Sequence, residues 1–307
     1  MNKNRFFKKK LRKNEISTTA NVLLNVVFII YALMCLYPMA LVIGTSFAEE
    51  TYLNTVGYKI FPQVVSFDAY KYILANIQPI LRAYTVTICV TVVGTVVSTV
   101  VIALYAYVIS RNEFRYKKFF TFYLFFTMLF NGGMVPWYIV CTQLLDINNT
   151  YVALVWPALM SAWYVMIMRT FFTTGVPNGI VESARIDGAG EFMIFVRIVA
   201  PVSIPGIATV ALFQMVYYWN DWYLPFMLTS DPEYANIQLY LKRILNNLQE
   251  ILNSPGVAAQ SGDALAKIPR EGARMAICAL AIGPIVLAYP FFQRFFVSGL
   301  TVGSIKG

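Results

Sequence analysis

The chain has 307 residues, of which 58% are apolar, 16% aromatic and 13% charged, with a formal net charge of +9 and a mean hydropathy of +0.61. Soluble chains carry about 25% charged residues, so half that share cannot cover a water-soluble globule of this size, and the aromatic content excludes disorder. The absence of His removes His-based acid–base chemistry, Ser-His-Asp triads and His metal sites.

Seven basic residues fill the N-terminal tail from Lys3 to Lys13. The first apolar segment follows, from about Ala20 to Phe47. Ser46-Phe47-Ala48 resembles the small-x-small site of a signal peptide, but a signal peptide's apolar region is only about 7–15 residues long. The longer run reads as an uncleaved anchor. Five further segments reach the roughly 20 apolar residues a membrane helix needs: about Ala83–Ser110, Phe119–Leu144, Thr150–Phe172, Ile198–Leu228 and Ala273–Phe296. Placing the N-terminus inside assigns sixteen of the 24 Lys and Arg to cytoplasmic stretches, which favours both termini in the cytoplasm. The expected architecture is all-α, a polytopic membrane protein of six transmembrane helices. Its basic tail covers 1–19, its membrane domain 20–298 and its C-terminal tail 299–307. The net charge then reflects cytoplasmic loops and not a nucleic-acid partner.

Two outer loops are expected at about 48–82 and 229–272. The second carries an amphipathic stretch, Ile237 to Leu252, that reads as a surface helix. The four Cys (Cys35, Cys89, Cys141, Cys278) are scattered in apolar runs without any CxxC, so they read as buried thiols and no metal site is indicated.

Two spans carry polar interruptions. The third contains Asn131-Gly132-Gly133 and then Pro136, a sequence that breaks a helix; a membrane tolerates this where protein or a water cavity satisfies the freed backbone. The fifth begins with Pro201 and Pro205 and ends in Trp219-Asn220-Asp221-Trp222. Asp221 is the only acidic residue in the six predicted segments. It lies at the wet outer rim or faces a cavity.

The connection at about 175–195 is the most informative segment. After the turn signal Pro177-Asn178-Gly179, a short helix is expected with Glu182 and Asp187 in its first half, where carboxylates suit the helix dipole. Ala184 and Gly188 are four apart and would leave one face nearly bare. Such a helix is either an ordinary interfacial helix or an element that docks into a groove of a soluble partner.

Glu182-Ser183-Ala184, then Gly188, then Ile198, Pro201 and Pro205 resembles the EAA loop of ABC-importer permeases, with Ser183 replacing the middle Ala. Ile186-Asp187-Gly188-Ala189 strengthens the likeness to carbohydrate-type permeases. Phe130-Asn131-Gly132-Gly133-Met134-Val135-Pro136, Trp219-Asn220-Asp221-Trp222 and the ending Tyr289 to Gly307 are similar to segments of the polysaccharide and oligosaccharide branch. The resemblance implies a type I ABC-importer permease fold and a plasma-membrane subunit of a prokaryotic carbohydrate importer. It implies a second permease subunit, two ATPase subunits or domains, an extracellular solute-binding protein and a carbohydrate substrate, within the lipid bilayer. ATPase coupling would fall to Glu182, Ser183, Ala184, Asp187 and Gly188. A tail of Gly303, Ser304, Ile305, Lys306 and Gly307 would contact the ATPases. Asn131, Gly132, Gly133, Trp219, Asn220 and Asp221 would border the translocation path. No catalytic residue is assigned and no cofactor is expected in this chain: it has no GxxxxGK[ST], so ATP and Mg would be bound by the partner ATPases. The rival readings are an ion-coupled secondary transporter, which wants several buried charges and an internal repeat, and an intramembrane glycosyltransferase, which wants paired acids or a metal site.

Overall fold

The computed structural model describes residues 17–75, 77–253, 269–284, 286 and 290, without the side chains of 248–253. Among these residues the architecture is helical, and the sole β element is an isolated bridge between Ala48 and Val65. The chain divides into two compact units, Met1–Lys71 with Pro269–Ala279, and Tyr72–Ile268 with Leu280–Gly307.

In the first unit, α1 (Thr18–Ser46) opens on Ser17, whose hydroxyl accepts the Ala20 amide at 3.2 Å. This serine cap satisfies one of the amides that a helix start leaves without a partner. Among the described residues, none of α1's most apolar window is buried. Beyond it comes α2 (Glu50–Val56). Both carboxylate oxygens of Glu50 accept backbone amides at 3.1 Å, from Glu271 and Gly272, at the start of the last helix, residues 270–284. Phe47 stacks on Tyr70 at 5.0 Å, and the Tyr70 hydroxyl lies 2.8 Å from Ser46 Oγ. α3 (Asp68–Leu74) follows in the chain. The loop expected at 48–82 thus holds two short helices and the first turns of the next span.

The second unit is built on α4 (Ile77–Ser110), which begins six residues before the expected Ala83. Its buried stripe contains Ala83, Thr87, Gly94, Ser98 and Ala106. Small residues spaced this way let helix backbones approach closely in a membrane. α8 (Ala162–Gly175) and α12 (Ile204–Asn220) pack against it. Tyr218 fills the space over Gly94, where an added Cβ would come within 2.7 Å of the ring. The Tyr218 hydroxyl bonds with Ser98 Oγ at 2.9 Å and donates to the Val155 carbonyl at 3.0 Å.

The remaining spans are bent. α5 (Lys117–Leu129) and α6 (Met134–Ile139, continued by a π-turn Val140–Leu144) meet at 113°. Here the expected break at Asn131-Gly132-Gly133 is present. Asn131 Oδ1 accepts the Gly133 amide at 2.9 Å, and Gly133 has φ +89°, a region open to glycine at little cost. α7 (Tyr151–Val155 with a 3₁₀ turn Trp156–Ala158) meets α8 at 54°, a bend the sequence reading did not anticipate. Pro157 lies in that turn.

The fifth span begins earlier than Ile198. α10 (Glu191–Ile194) runs through a π-turn (Phe195–Val199) into α11 (Ala200–Val202), and the chain turns by 83° into α12. Pro201 has no amide hydrogen for the Arg197 carbonyl, and Pro205 none for that of Pro201. The missing donors account for the widened turn and for the bend. After α12 come α13 (Tyr223–Leu228) and α14 (Ile237–Asn253). The amphipathic helix expected over Ile237 to Leu252 is therefore present. Its Ile237 amide donates to Thr87 Oγ1 at 2.8 Å, fixing it to α4.

Among the described residues, two helices are long and apolar enough to cross a membrane, or up to five spans if each bent pair counts as one. The sixth expected span is helical from 270 to 284. Most of its later part, with the tail Gly303, Ser304, Ile305, Lys306 and Gly307, lies outside the described residues. All four Cys are free; within the chain Cys141 is buried, Cys278 is half-buried, and Cys35 and Cys89 are exposed on the faces of apolar helices.

Candidate functional site: the helix between the fourth and fifth spans

The expected short helix is present as α9 (Asn178–Ile186). Pro177 stands at its N-cap with φ −61°, a torsion its ring enforces. Val181 and Ala184 are buried in the core of the second unit, beside Val176 and Ile194. Glu182, Ser183, Ile186, Asp187 and Gly188 are exposed. Ser183 keeps its hydroxyl local, donating to the Gly179 carbonyl at 2.8 Å.

Two expectations about this helix are corrected. Glu182 lies mid-helix and Asp187 is the C-cap, so neither carboxylate sits in the first turn. The helix also has no bare face shared by Ala184 and Gly188. Ala184 points into the core, and Gly188 is past the helix end at φ +81°. There it completes a Schellman cap: the Ala189 amide donates to Ala184 O and the Gly188 amide to Arg185 O, each at 2.9 Å. Glycine is required by the backbone, because a Cβ at 188 would meet nothing within 4 Å.

Arg185, to which the sequence reading gave no role beyond its charge, clamps the helix down. Its Nη1 is 2.7 Å from Glu113 Oε1, in the α4–α5 turn, and its Nε is 2.7 Å from Glu191 Oε1, at the start of α10. Glu191 Oε2 accepts the Tyr107 hydroxyl at 2.6 Å, and the Arg111 guanidinium lies 4.9 Å from the centre of the Tyr107 ring. Hydrogen bonding to Arg185 holds the Glu113 carboxyl below the usual carboxylate range. The paired carboxylates push Arg185 the other way, so it stays charged. One guanidinium thus joins α9 to two other elements at the same end of the bundle.

Ile186 is the second feature that sequence reasoning passed over. It is 87% exposed between two carboxylate-bearing positions. Its place beside the C-cap, on the side opposite the buried Val181–Ala184 face, was the available signal. The exposed side of α9 therefore offers an apolar knob flanked by negative charge, on a helix whose other side is anchored. Its buried face and the Arg185 ion pairs hold α9 to neighbouring elements of the second unit.

The other candidate residues lie elsewhere in the second unit. Asn131 and Gly132 are exposed at the α5–α6 break. Trp219 is buried, and its indole donates to the Ala281 carbonyl at 3.2 Å, so its side chain is held inside the fold. Asn220 donates back to Val216 O at 2.9 Å. Asp221 Oδ1 accepts the amides of Tyr223 at 2.9 Å and Leu224 at 3.2 Å, and the Asp221 carbonyl accepts Asn236 Nδ2. Asp221 thus starts α13 and ties it to α14. Among the described residues, no group of three or more Cys, Asp or Glu could hold a metal ion.

Residues 112–302 match the family described as binding-protein-dependent transport system inner membrane component. The chain is 33% identical over 282 residues to the polygalacturonan/rhamnogalacturonan transport system permease protein YtcP of Bacillus subtilis, covering 91% of this chain and 95% of that one. It is 27% identical to the trehalose/maltose transport system permease protein MalG of Thermococcus litoralis, over 93% and 97% of the two chains. Among solved structures, it is similar to a chain of a bacterial ABC transporter involved in the import of the acidic polysaccharide alginate, with a TM-score of 0.76, 25% identity and coverage of 92% and 99%. The matched region takes in α9, its Arg185 clamp and every bent span, and the chain belongs to the family of binding-protein-dependent transport system inner membrane components.

Proposed function

We propose that this permease subunit imports an oligosaccharide in an ATP-driven ABC transporter, and that α9 is where the ATPase engages it. The observation that carries the reading is the anchored α9. Its buried face and Arg185 fix it to the bundle, while Glu182, Ile186 and Asp187 face outward. A partner groove that receives Ile186 would bury an apolar side chain worth about 1.5–3 kcal/mol. Sugar as the cargo class is supported by the relatives, whose names specify polygalacturonan/rhamnogalacturonan and trehalose/maltose transport. The ion-coupled alternative finds no support in the comparisons.

In this reading the chain has six spans with both termini in the cytoplasm of a prokaryote and works as a non-catalytic subunit. It pairs with a second permease, two ATPase subunits and an extracellular binding protein. ATP and Mg are bound by the ATPases, not by this chain. ATPase closure displaces α9, and α4 and α10 follow as a body, exchanging inward for outward access. Glu182, Ser183, Ala184, Asp187 and Gly188 form the coupling element. Asn131, Gly132, Gly133, Asn220 and Asp221, with Trp219 packed behind, border the path. The tail Gly303 to Gly307 contacts the ATPases.

Reconstitution in liposomes with the partner subunits tests this. Entry of labelled pectic or maltose-type oligosaccharide should require ATP and the binding protein, and a cysteine at 186 should crosslink to the ATPase. Uptake driven by an ion gradient without ATP, or crosslinking of 186 to lipid alone, would overturn it.

A further inference from the structure

At the bundle end that carries α9, a cavity of about 620 Å³ opens between the start of α5 and the later turns of α8. Lys117, Lys118 and Arg169 line it with Asn112, Thr121 and two phenylalanines, Phe122 and Phe125. The three cations are not balanced. Among the described residues, neither Lys118 nor Arg169 pairs with a carboxylate. Lys117 reaches only neutral acceptors, Asn112 Oδ1 at 2.9 Å and Ser110 O at 3.4 Å. It also lies within the repulsive reach of Arg169 and Arg111, and Glu113, the carboxylate acting on it, is engaged by Arg185. Two polar atoms in the lining are buried without any partner, Arg169 Nε and Thr121 Oγ1. A buried donor left unmade costs about 1–3 kcal/mol, so this corner is incomplete as the chain stands alone.

The arrangement along α5 is graded. Lys118 and Phe122 are four apart, as are Thr121 and Phe125, so each pair shares a face. The cations stand at the helix start and the exposed aromatic rings one to two turns further in. Arg169 is six residues, about 9 Å of helix, from the end of α8, within reach of the same level. Positive charge and unmet donors at the rim, with apolar rings below, are complementary to one molecule with an anionic head and hydrocarbon tails.

We propose that this corner binds the phosphate headgroup of an anionic phospholipid, with Lys117, Lys118, Arg169 and Thr121 meeting the phosphate and Phe122 and Phe125 meeting the acyl chains. Basic residues beside an anionic leaflet contribute about 1 kcal/mol each, and the unmet Arg169 and Thr121 donors add direct hydrogen bonds. The lipid neutralises the cation cluster next to the turn that holds Glu113, so it also supports the base of the α9 clamp.

Native mass spectrometry of the assembled transporter tests this with added phosphatidylglycerol, phosphatidylcholine or glycerol 3-phosphate. Phosphatidylglycerol should be retained, phosphatidylcholine should not, and a K118Q/R169Q double variant should lose about tenfold in apparent affinity. Equal retention of the two lipids, or unchanged binding by the variant, would overturn the proposal. Displacement of the lipid by equimolar glycerol 3-phosphate would reassign the site to a free phosphate ester. Should the double variant fail to assemble, a photo-crosslinker at position 118 of an otherwise native chain decides the matter: a phospholipid adduct supports the site, and an adduct with another protein chain overturns it.

Discussion

The Nε of Arg185 donates to Oε1 of Glu191 at 2.7 Å, across the turn that separates α9 from α10. The same guanidinium meets Glu113 through Nη1, so one side chain closes the corner between three elements. Arg185 is partly exposed, which limits the whole clamp to roughly 1 kcal/mol. Its role is geometric. Arg185→Gln should leave the fold and the thermal midpoint nearly unchanged, while hydrogen exchange over 178–188 rises and ATP-driven uptake falls several-fold. Uptake equal to wild type would show that α9 needs no clamp.

The clamp has a pH signature. The Glu113 carboxyl is held below its ordinary 4.5 by Arg185. A carboxylate whose folded-state pKa is depressed adds stability that is present above the unfolded value and is lost as pH falls through the folded one. Protection of α9 against hydrogen exchange, corrected for the intrinsic rate, should therefore be flat from pH 7 to 5 and drop below about 4.5. In Glu113→Gln the part of that drop owed to this pair should vanish. An identical acid profile in that variant would assign the change to another group.

Gly188→Ala should cost about 1–2 kcal/mol locally, because the left-handed backbone is unfavourable for a residue with a Cβ. Gly188→Asn should recover much of this, since Asn tolerates the same torsions. The order Gly, Asn, Ala in α9 protection and in uptake is the expected readout. Equal behaviour of Ala and Asn would mean that the cap is not what Gly188 supplies.

Gly94→Ala should be more damaging than its single methyl suggests. The new Cβ would lie 2.7 Å from the Tyr218 ring. Moving that ring breaks its bonds with Ser98 and Val155, and overpacking of this kind costs about 1–3 kcal/mol. A fall in the unfolding temperature in detergent measures it. Tyr218→Phe in the same background should add little if the ring has already been displaced.

Asn149→Ala should loosen the turn after α13. Its Oδ1 accepts the Ser230 amide at 2.8 Å, the Ser230 hydroxyl at 3.2 Å and the Asp231 amide at 3.2 Å, and its own φ is +51°. Loss of a shared acceptor costs about 1–3 kcal/mol where the donors stay dry and less where water replaces it. Faster proteolysis at 229–236, with uptake retained, is the expected result.

Much of this architecture was legible in the residues. The Asn131-Gly132-Gly133 break could be read because two glycines and an Asx turn leave a helix no way through. Pro201 and Pro205 account for the bend in the fifth span, but taken as the start of that span they predicted no bend within it. α14 was visible because its apolar residues repeat at helical spacing. The 54° bend between α7 and α8 was hidden, since a single Pro157 fits the first turn of a helix as readily as it ends one. The orientation of α9 was misread for a related reason. Ala184 and Gly188 share a face only if the helix continues through 188, and glycine's freedom to adopt positive φ is what ends it at Ile186. Arg185 could not be assigned from sequence, because its two carboxylates come from separate turns that only the fold brings together.

Among the described residues, none of the most apolar window of α1 is buried, whereas α4 buries half of its corresponding window. The two helices should therefore tolerate change by different rules. In α4, side-chain volume matters position by position, as at Gly94. In α1, the chain itself asks only for hydropathy and helical propensity, so Leu, Ile, Phe and Met should be interchangeable from Val22 to Tyr37. A saturation survey scored on membrane insertion alone should find that uniform tolerance. Scored on transport, any α1 position that still demands one residue marks the footprint of a neighbouring molecule, and the difference between the two surveys maps that contact without a structure of the complex.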